Sequence, residues 1–298
     1  MQGKAKRPLS KAVPWLTLCA PFFICLAFFV IFPLLASFFL SFFSDIQCTD
    51  FVGLTHFHAL IKSDAFVLAV KNTCFFYVIA LPLVIVLPLI FANFFYHTAS
   101  AQKILKFASF YHIILPAASI MLFCDLLFAD GGLLAEEIAS LFSLSTSDLY
   151  QTPFSFFLLV GLFVLKYGGY NFLLFSAAMS RIPRAYYEEA QICGASARQC
   201  FRLITLPSLK GTLLLSVILS VVNSYKIYRE AYLMGGYYPH KSMYLIQHYI
   251  HNNYQNMNFS RLCAVTGVIL GCLIAACGLV LFIGFLLKRI TDRRGHYE

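Results

Sequence analysis

Charged side chains are scarce in this sequence of 298 residues: Asp, Glu, Lys and Arg make up 12% of it, whereas soluble proteins carry about 25%. Tryptophan occurs once, and no C-x-x-C pair is found among the ten cysteines. Most of these cysteines lie inside apolar stretches, where Cys behaves as a small apolar side chain, so neither a disulfide framework nor a zinc site is predicted. The shortage of charge argues against a water-soluble enzyme.

Apolar residues take the place of the missing charges. They form 60% of the chain, with 32 Phe and 17 Tyr, and the mean hydropathy is +0.77. A membrane-spanning helix needs about 20 mainly apolar residues. The charge-poor stretches predict six transmembrane helices, at about residues 12–44, 72–98, 107–125, 151–180, 207–225 and 262–287. The predicted fold is therefore all-α, a single polytopic transmembrane domain over residues 1–298.

Basic residues indicate the orientation of these helices, because Lys and Arg near short loops stay on the cytoplasmic side. With a cytoplasmic N-terminus, about two thirds of the 22 Lys and Arg fall inside, and six crossings return the C-terminus to the same side. The first apolar stretch is longer than the roughly 7–15 residues of a signal-peptide core, so it is interpreted as a retained helix. The net charge of +9 is then a topology signal, and no nucleic-acid partner is expected.

Three outer segments connect the predicted helices. Residues 45–71 are mixed in polarity, as in a partly packed loop. Leu133 to Leu144 follows an Asp-Gly-Gly turn and has apolar residues at helical spacing, which predicts a short amphipathic helix on the membrane face. Residues 226–261 are rich in Tyr, Asn and His and are expected to cap the external opening.

The inner segment 181–210 has helix signals at both ends of a short bend. Gly194 ends one helix as a C′ glycine does. Ser196 and Gln199 then have the spacing of a capping box that opens a second helix, and Pro207 is expected to stop it. The sequence predicts a helix, a Gly-Ala turn and another helix that project into the cytoplasm.

This inner segment resembles the EAA loop of ABC-importer permeases, in which Glu-Ala-Ala is followed by a Gly four residues on and by a downstream Ile-x-Leu-Pro. The matching residues over 181–207 are Glu188, Glu189, Ala190, Gly194, Ala195, Ile204, Leu206 and Pro207. Two residues depart from the pattern: Glu189 replaces the first Ala, and Cys193 stands where the family usually has Asp. Further stretches, among them VLKYGGYNFLLFSAAMSRIP and LMGGYYPHKSMYLIQHYI, resemble the carbohydrate-type permeases of the maltose and glycerol-3-phosphate systems.

The resemblance implies a type I ABC-importer permease fold in a bacterial cell membrane, with the EAA loop seated on an ATPase. The implied partners are a second homologous permease (a heterodimer), two copies of a cytoplasmic ATPase that binds ATP and Mg, an external solute-binding protein, and membrane lipid. The implied cargo is a sugar, an oligosaccharide or a sugar-like solute such as glycerol phosphate. The chain itself is expected to bind no cofactor, because the stretch from Gly235 to Ser242 only approximates a P-loop, with His240 in place of its second Gly.

Several polar residues within the predicted helices are candidates for the substrate pathway: Lys166, Tyr170, Asn171, Asn223, Ser224 and Tyr225. Lys166 is either a gate or pathway residue or the buried partner of a carboxylate or carbonyl. The amide and hydroxyl groups could bind a sugar, but hydrogen bonding between helices is the favoured interpretation. Two His pairs, 56/58 and 248/251, have metal-like spacing but lack a third ligand, so no metal site is predicted.

Two other classes of protein compete with an importer permease. An ion-coupled secondary carrier would use inverted repeats and buried carboxylates at the midplane, but no clear repeat and no Asp or Glu in the central part of a crossing is found. A membrane-embedded enzyme would need a catalytic set at neighbouring helix ends, which is also missing. Neither alternative explains the helix-Gly-helix loop, so the chain is predicted to be a transport subunit and not an enzyme.

Overall fold

A computed structural model describes residues 13–274 of the chain, except 46, 97–106, 108, 110–115, 145–147 and 273. Within these residues the regular structure is helical, and one isolated antiparallel bridge joins Phe43 to Phe51. The all-α prediction is therefore confirmed. The contacts divide the chain into two compact units, Met1–Ser63 with Asn252–Glu298, and Asp64–His251.

The first unit begins with a long apolar helix in two parts, α1 (Val13–Leu26) and α2 (Phe32–Leu40), joined by the wider π-turn Ala27–Ile31. The turn comes just before Pro33, whose ring would clash with a carbonyl of a regular α-helix. None of the most apolar window between Leu18 and Leu40 is buried within the protein. This is compatible with a membrane helix, because lipid tails are as apolar as the side chains.

Two further helices complete the first unit: α3 (Thr55–Ile61) and the apolar helix Phe259–Cys272, which is named α14 below. Gly267 on this last helix lies against aromatic rings, since a Cβ atom there would be 3.3 Å from ring carbons of Phe38 and Phe57. The Ser260 hydroxyl also donates to the Ser44 carbonyl at 2.8 Å. Because Gly267 has no side chain, its helix can pack closely against these two rings.

The second unit is built on two long helices, α4 (Asp64–Phe95) and α7 (Phe154–Met179). Their shared core contains fully buried aromatic and aliphatic side chains, and Phe76 meets Phe163 edge-to-face with 5.3 Å between ring centroids. The prolines at 82 and 88 lie inside α4, where neighbouring helices of a membrane protein can satisfy the freed carbonyls. The helix begins at Asp64, eight residues before the predicted start, and so absorbs part of the predicted 45–71 loop.

Shorter elements connect these two helices. α5 (Ala117–Phe128) is followed by a turn in which Gly131 has a φ of +71°, and then by α6 (Ala135–Leu141). α6 is the predicted amphipathic helix, shorter at both ends than Leu133 to Leu144, and Leu141 on it is exposed. The glycine is needed because positive φ is costly for residues with a Cβ atom.

The segment that is predicted to be cytoplasmic contains α8 (Arg184–Ile192), α9 (Ala197–Cys200), a π-turn at Phe201–Thr205 and α10 (Leu206–Ser208). The expectation that Pro207 stops the helix is wrong, because helical structure runs on to Ser208. The arrangement is the same as at Pro33: a five-residue π-turn precedes the proline. The proline then occupies the first turn of the next helical segment, where no amide hydrogen is required.

The following helix is longer than predicted. α11 (Lys210–Ser224), a 3₁₀ turn at Tyr225–Ile227 and α12 (Tyr228–Gly235) form one apolar stretch, Lys210–Gly235, that is long enough to span a membrane. The stretch ends ten residues after the predicted end at residue 225. The charged residues that follow residue 225 do not mark the end of the helix, because they line a cavity or form an ion pair. Glu230 therefore lies inside this helix, near its C-terminal end.

The helices follow the predicted order of crossings. Four described helices are long and apolar enough to span a membrane, and two shorter apolar ones, α5 and α14, correspond to the third and sixth predictions. Residues 97–106, 108, 110–115 and 275–298, which carry parts of the predicted second, third and sixth crossings, lie outside the described residues. The remaining helix is α13 (Ile246–Gln255), within the predicted outer segment.

Candidate coupling loop and transmembrane polar site

The bend of the inner loop has the geometry that its sequence predicts. Gly194 has a φ of +80°, the left-handed region that ends a helix. The capping box is present. The backbone nitrogen of Gln199 donates to the Ser196 hydroxyl at 3.4 Å, and the backbone nitrogen of Ser196 donates to the side-chain oxygen of Gln199 at 2.7 Å. Two helical arms therefore leave the bend in fixed directions.

A hydrogen bond between the hydroxyls of Tyr187 and Thr205, 2.8 Å apart, joins the two arms behind the bend. Thr205 is almost fully buried, and burial also raises the pKa of the Tyr187 phenol. The phenol therefore stays neutral and able to donate at physiological pH. This hydrogen bond fixes the angle between α8 and the π-turn. It was not predicted from the sequence, because the two residues are 18 positions apart.

Between the two arms lies an open groove of about 470 Å³. Four predicted coupling residues line it, namely Glu189, Ala190, Ile204 and Pro207. The other four, Glu188, Gly194, Ala195 and Leu206, do not. Large apolar side chains are exposed around the groove: Ile192 is 86% exposed and Leu203 is 71% exposed. Exposed apolar surface beside a groove is typical of a site that another protein covers.

Within the second unit, Lys166 on α7 forms an ion pair with Glu230 on α12. The carboxylate is 1% exposed and the lysine side chain 21% exposed. Of the two interpretations of Lys166, the pairing with a buried carboxylate is the observed one. Glu230 was not predicted as the partner, because the two residues are 64 positions apart. The predicted fifth helix also ended before Glu230.

Asn171 is a structural hydrogen-bond centre. Its amide nitrogen donates to the Val84 carbonyl at 2.8 Å and to the Ser220 hydroxyl at 3.0 Å, while its side-chain oxygen accepts from Ser216 at 2.8 Å. All of these side chains are buried. The favoured interpretation, that this amide joins helices, agrees with the observed bonds. A signal for its partners exists in the sequence, since serines at 216, 220 and 224 recur every four residues along one helix face.

The remaining pathway candidates are dispersed. Ser224 is buried and donates to the Val221 carbonyl at 2.5 Å. Tyr225, 40% exposed, lines a cavity together with Lys166. Tyr170 and Asn223 are half-buried and do not line that cavity. Lys166 and Tyr225 thus line the same cavity, and Asn171 and Ser224 do not line it.

Neither a metal nor a nucleotide site is found among the described residues. No group of three or more His, Cys, Asp or Glu in this part of the chain could hold a metal ion. The approximate P-loop is a helix end instead, in which Gly236 has a φ of +65° and His240 Nδ1 accepts from the Ser242 amide at 3.3 Å. A Cβ atom at Gly235 would lie 2.5 Å from that of Pro239, so this glycine serves close packing and not phosphate binding.

Residues 69–294 match the family model described as the binding-protein-dependent transport system inner membrane component. The chain belongs to this family, whose members are membrane components of transport systems. It is similar to the arabinooligosaccharides transport system permease protein AraP of Bacillus subtilis (strain 168), with 29% identity over 75% of this chain and 72% of the relative. It is also similar to the lactose transport system permease protein LacF of Rhizobium radiobacter, with 26% identity over 78% and 80% of the two chains.

The fold is shared with a solved bacterial ABC transporter involved in the import of the acidic polysaccharide alginate. The TM-score is 0.74 at 20% sequence identity, and the match covers 95% of this chain and 98% of that one. The predicted resemblance to carbohydrate-type ABC-importer permeases is thereby confirmed, as is the permease fold. The relatives are permease subunits and not enzymes, in agreement with the prediction of a transport subunit.

Proposed function

We propose that this chain is a permease subunit of an ATP-driven, binding-protein-dependent importer for a sugar, an oligosaccharide or a related solute. The family match supports the transport role, and relatives named for arabinooligosaccharides and lactose support the class of solute. The host membrane is the bacterial cell membrane, which the chain crosses several times. The described residues include four helices that are long and apolar enough to span a bilayer.

The observation that carries the proposal is the groove of the inner loop. A rigid helical bend, fixed by Gly194 and by the Tyr187–Thr205 hydrogen bond, presents exposed Ile192 and Leu203 beside the groove. We assign this surface to a cytoplasmic ATPase, of which the importer contains two copies. ATP and Mg bind to the ATPase, and its closure moves the loop and switches the permease between inward- and outward-facing states.

The pathway itself requires two more partners. A second, homologous permease provides the other wall. An external binding protein delivers the solute, and the description of the family supports this partner. Lys166 and Tyr225, which share a cavity, are the pathway residues that we retain from the sequence analysis. Asn171 instead joins its helix to two neighbouring helices, and the Ser224 hydroxyl bonds to a carbonyl of its own helix.

The alternative of an ion-coupled carrier is less well supported. Such a carrier needs a carboxylate that can release its partner to bind a proton or a cation. Glu230 lies inside the spanning helix Lys210–Gly235 and is paired with Lys166. The family match is also to components of binding-protein-dependent systems.

The proposal is tested by affinity purification of the tagged chain from its native cells in mild detergent. We expect a second permease and an ATPase with Walker motifs to be recovered with it. A matched variant in which Ile192 and Leu203 are both replaced by Ser is expected to lose the ATPase and to keep the second permease. Recovery of the wild-type chain alone, with solute uptake that requires an ion gradient and no ATP, would reverse the assignment.

A further inference from the structure

A polar cavity of about 310 Å³ lies where the 3₁₀ turn Tyr225–Ile227 faces α7. It is lined by four charged side chains and by tyrosines that include Tyr225 and Tyr228; the charged side chains are Lys166, Lys226, Arg229 and Glu230. Its volume is at the lower end of the range of ligand pockets, about 300–1,000 Å³. The cavity therefore has room for a small solute or for one end of a longer one.

The charges of this cavity do not balance. Glu230 is paired with Lys166, but among the described residues neither Lys226 nor Arg229 forms an ion pair. Both of these side chains are exposed in the chain, and because they are three residues apart, they share one face of the helix. Three basic groups and one carboxylate give the lining a net formal charge of +2. Unpaired charge within a spanning helix is costly and marks a pathway for solutes or ions.

Two buried polar atoms of residues that line the cavity also have no hydrogen-bond partner within the described part of the chain. They are the second carboxylate oxygen, Oε2, of Glu230 and the hydroxyl of Tyr228. The oxygen can only accept and the phenol can donate, so the two atoms complement the hydroxyl groups of a polyol. The partly exposed ring of Tyr225 adds an apolar face next to them. An inorganic anion would satisfy the cations but would leave the carboxylate oxygen without a donor.

We propose that the solute carries an anionic group on a sugar framework, and that Lys226 and Arg229 bind this group beside the Lys166–Glu230 pair. The inference rests on the proposed function, since it names the class of sugar that the importer admits. Arg229 offers a planar donor pair to a carboxylate or a phosphate, and Lys226 supplies a second positive charge. The sugar hydroxyls bond to Glu230 and Tyr228.

The test uses the importer purified with its partner subunits, without the binding protein, in nanodiscs of phosphatidylcholine. Saturation-transfer difference NMR compares D-galacturonate with D-galactose, which differ in whether C6 is a carboxylate or a hydroxymethyl group. We expect galacturonate to bind at least about tenfold more tightly, because a charge-assisted hydrogen bond changes affinity by about this factor. Lys226→Gln and Arg229→Gln should each weaken galacturonate binding about tenfold and leave galactose binding unchanged.

Matched variants complete the experiment. Lys226→Arg should keep the preference for galacturonate, and so should Lys241→Gln, which removes an exposed lysine outside the cavity. Equal binding of the two sugars, or a preference that survives the double variant K226Q/R229Q, would overturn the inference. It is also overturned if native mass spectrometry shows phosphatidylglycerol held by the wild-type protein and lost from the double variant while galacturonate does not bind, because the site then belongs to lipid.

Failure of this inference and failure of the proposed function give different results. An importer that is recovered with its ATPase and second permease and that binds both sugars alike refutes the anionic solute and leaves the importer role intact. A chain recovered without these partners refutes the importer role, whatever the sugars do.

Discussion

Lys166 and Glu230 form an ion pair that joins α7 to α12 across the interior of the second unit. The carboxylate is 1% exposed, so either charge would be left without compensation if its partner were removed. Removing one member of a buried ion pair costs about 3–5 kcal/mol, whereas replacing both members can be close to neutral. The loss of stability should therefore be larger for a single substitution in this pair than for the double substitution.

Lys166→Met alone is expected to lower stability strongly, because it leaves the Glu230 carboxylate buried without its ion-pair partner. The double variant K166M/E230Q should recover most of the loss, since neither member of the pair then carries a charge. The measurement is the unfolding midpoint of the detergent-solubilised protein, followed by fluorescence-detected size exclusion after heating. Losses that simply add in the double variant would show that the two side chains act independently.

Asn171→Leu is expected to destabilise the helix packing by about 2 kcal/mol, because it removes three hydrogen bonds between membrane helices at roughly 0.6 kcal/mol each. Asn223→Leu is the matched control, since Asn223 is half-buried and has no comparable bonds among the described residues. Thermal midpoints of the two variants give the comparison. If Asn171→Leu instead changed only the apparent affinity for solute, Asn171 would be a ligand-binding residue.

Gly194→Val should reduce solute uptake and leave membrane insertion normal. The φ of +80° at this position costs a β-branched residue more than a glycine, so the bend should shift and disturb the contact with the ATPase. Uptake and ATP hydrolysis are measured in parallel in proteoliposomes, and hydrolysis without matching uptake is the expected result. Gly211→Ala is the control, because a Cβ atom there meets nothing within 4 Å and φ is not positive.

His248→Phe should remove part of the acid sensitivity of the fold. Burial, and secondarily the neighbouring His251, lower the pKa of His248 to about 4 from 6.5. The unfolded chain therefore binds the extra proton between pH 6.5 and 4, and the folded state loses up to about 3 kcal/mol across that window as the pH falls. Phe keeps an aromatic ring against Tyr228 and Tyr244.

Thermal midpoints at pH 7.5 and pH 4.5 check this prediction. The wild-type midpoint should fall more between the two values than that of the His248→Phe variant. His58→Gln, a change at an exposed histidine, should leave the wild-type difference unchanged. An identical fall in all three proteins would mean that protonation of His248 does not contribute.

The bend at Gly194 shows which local features the sequence predicts. Gly194 and the Ser196–Gln199 capping box were predicted because each depends on residues within a few positions of one another, and local backbone geometry follows from local sequence. The continuation of the helix through Pro207 was missed, since the π-turn that makes it possible depends on how the arms pack. The predicted end of the fifth crossing was wrong because charged residues were taken to mark the end of the helix. In the structure these charged side chains form an ion pair or line a cavity.

The sequence by itself determined that the chain is helical, membrane-spanning and built around an inner helix-Gly-helix loop, because hydrophobic length, charge bias and capping signals act over short distances along the chain. Tertiary structure alone decided that Lys166 meets Glu230, that Asn171 bonds to two serines on α11, and that Lys226 and Arg229 remain without acidic partners among the described residues. These relationships join residues up to 64 positions apart. They depend on which faces of packed helices meet, and a single sequence does not record the rotation of one helix against another.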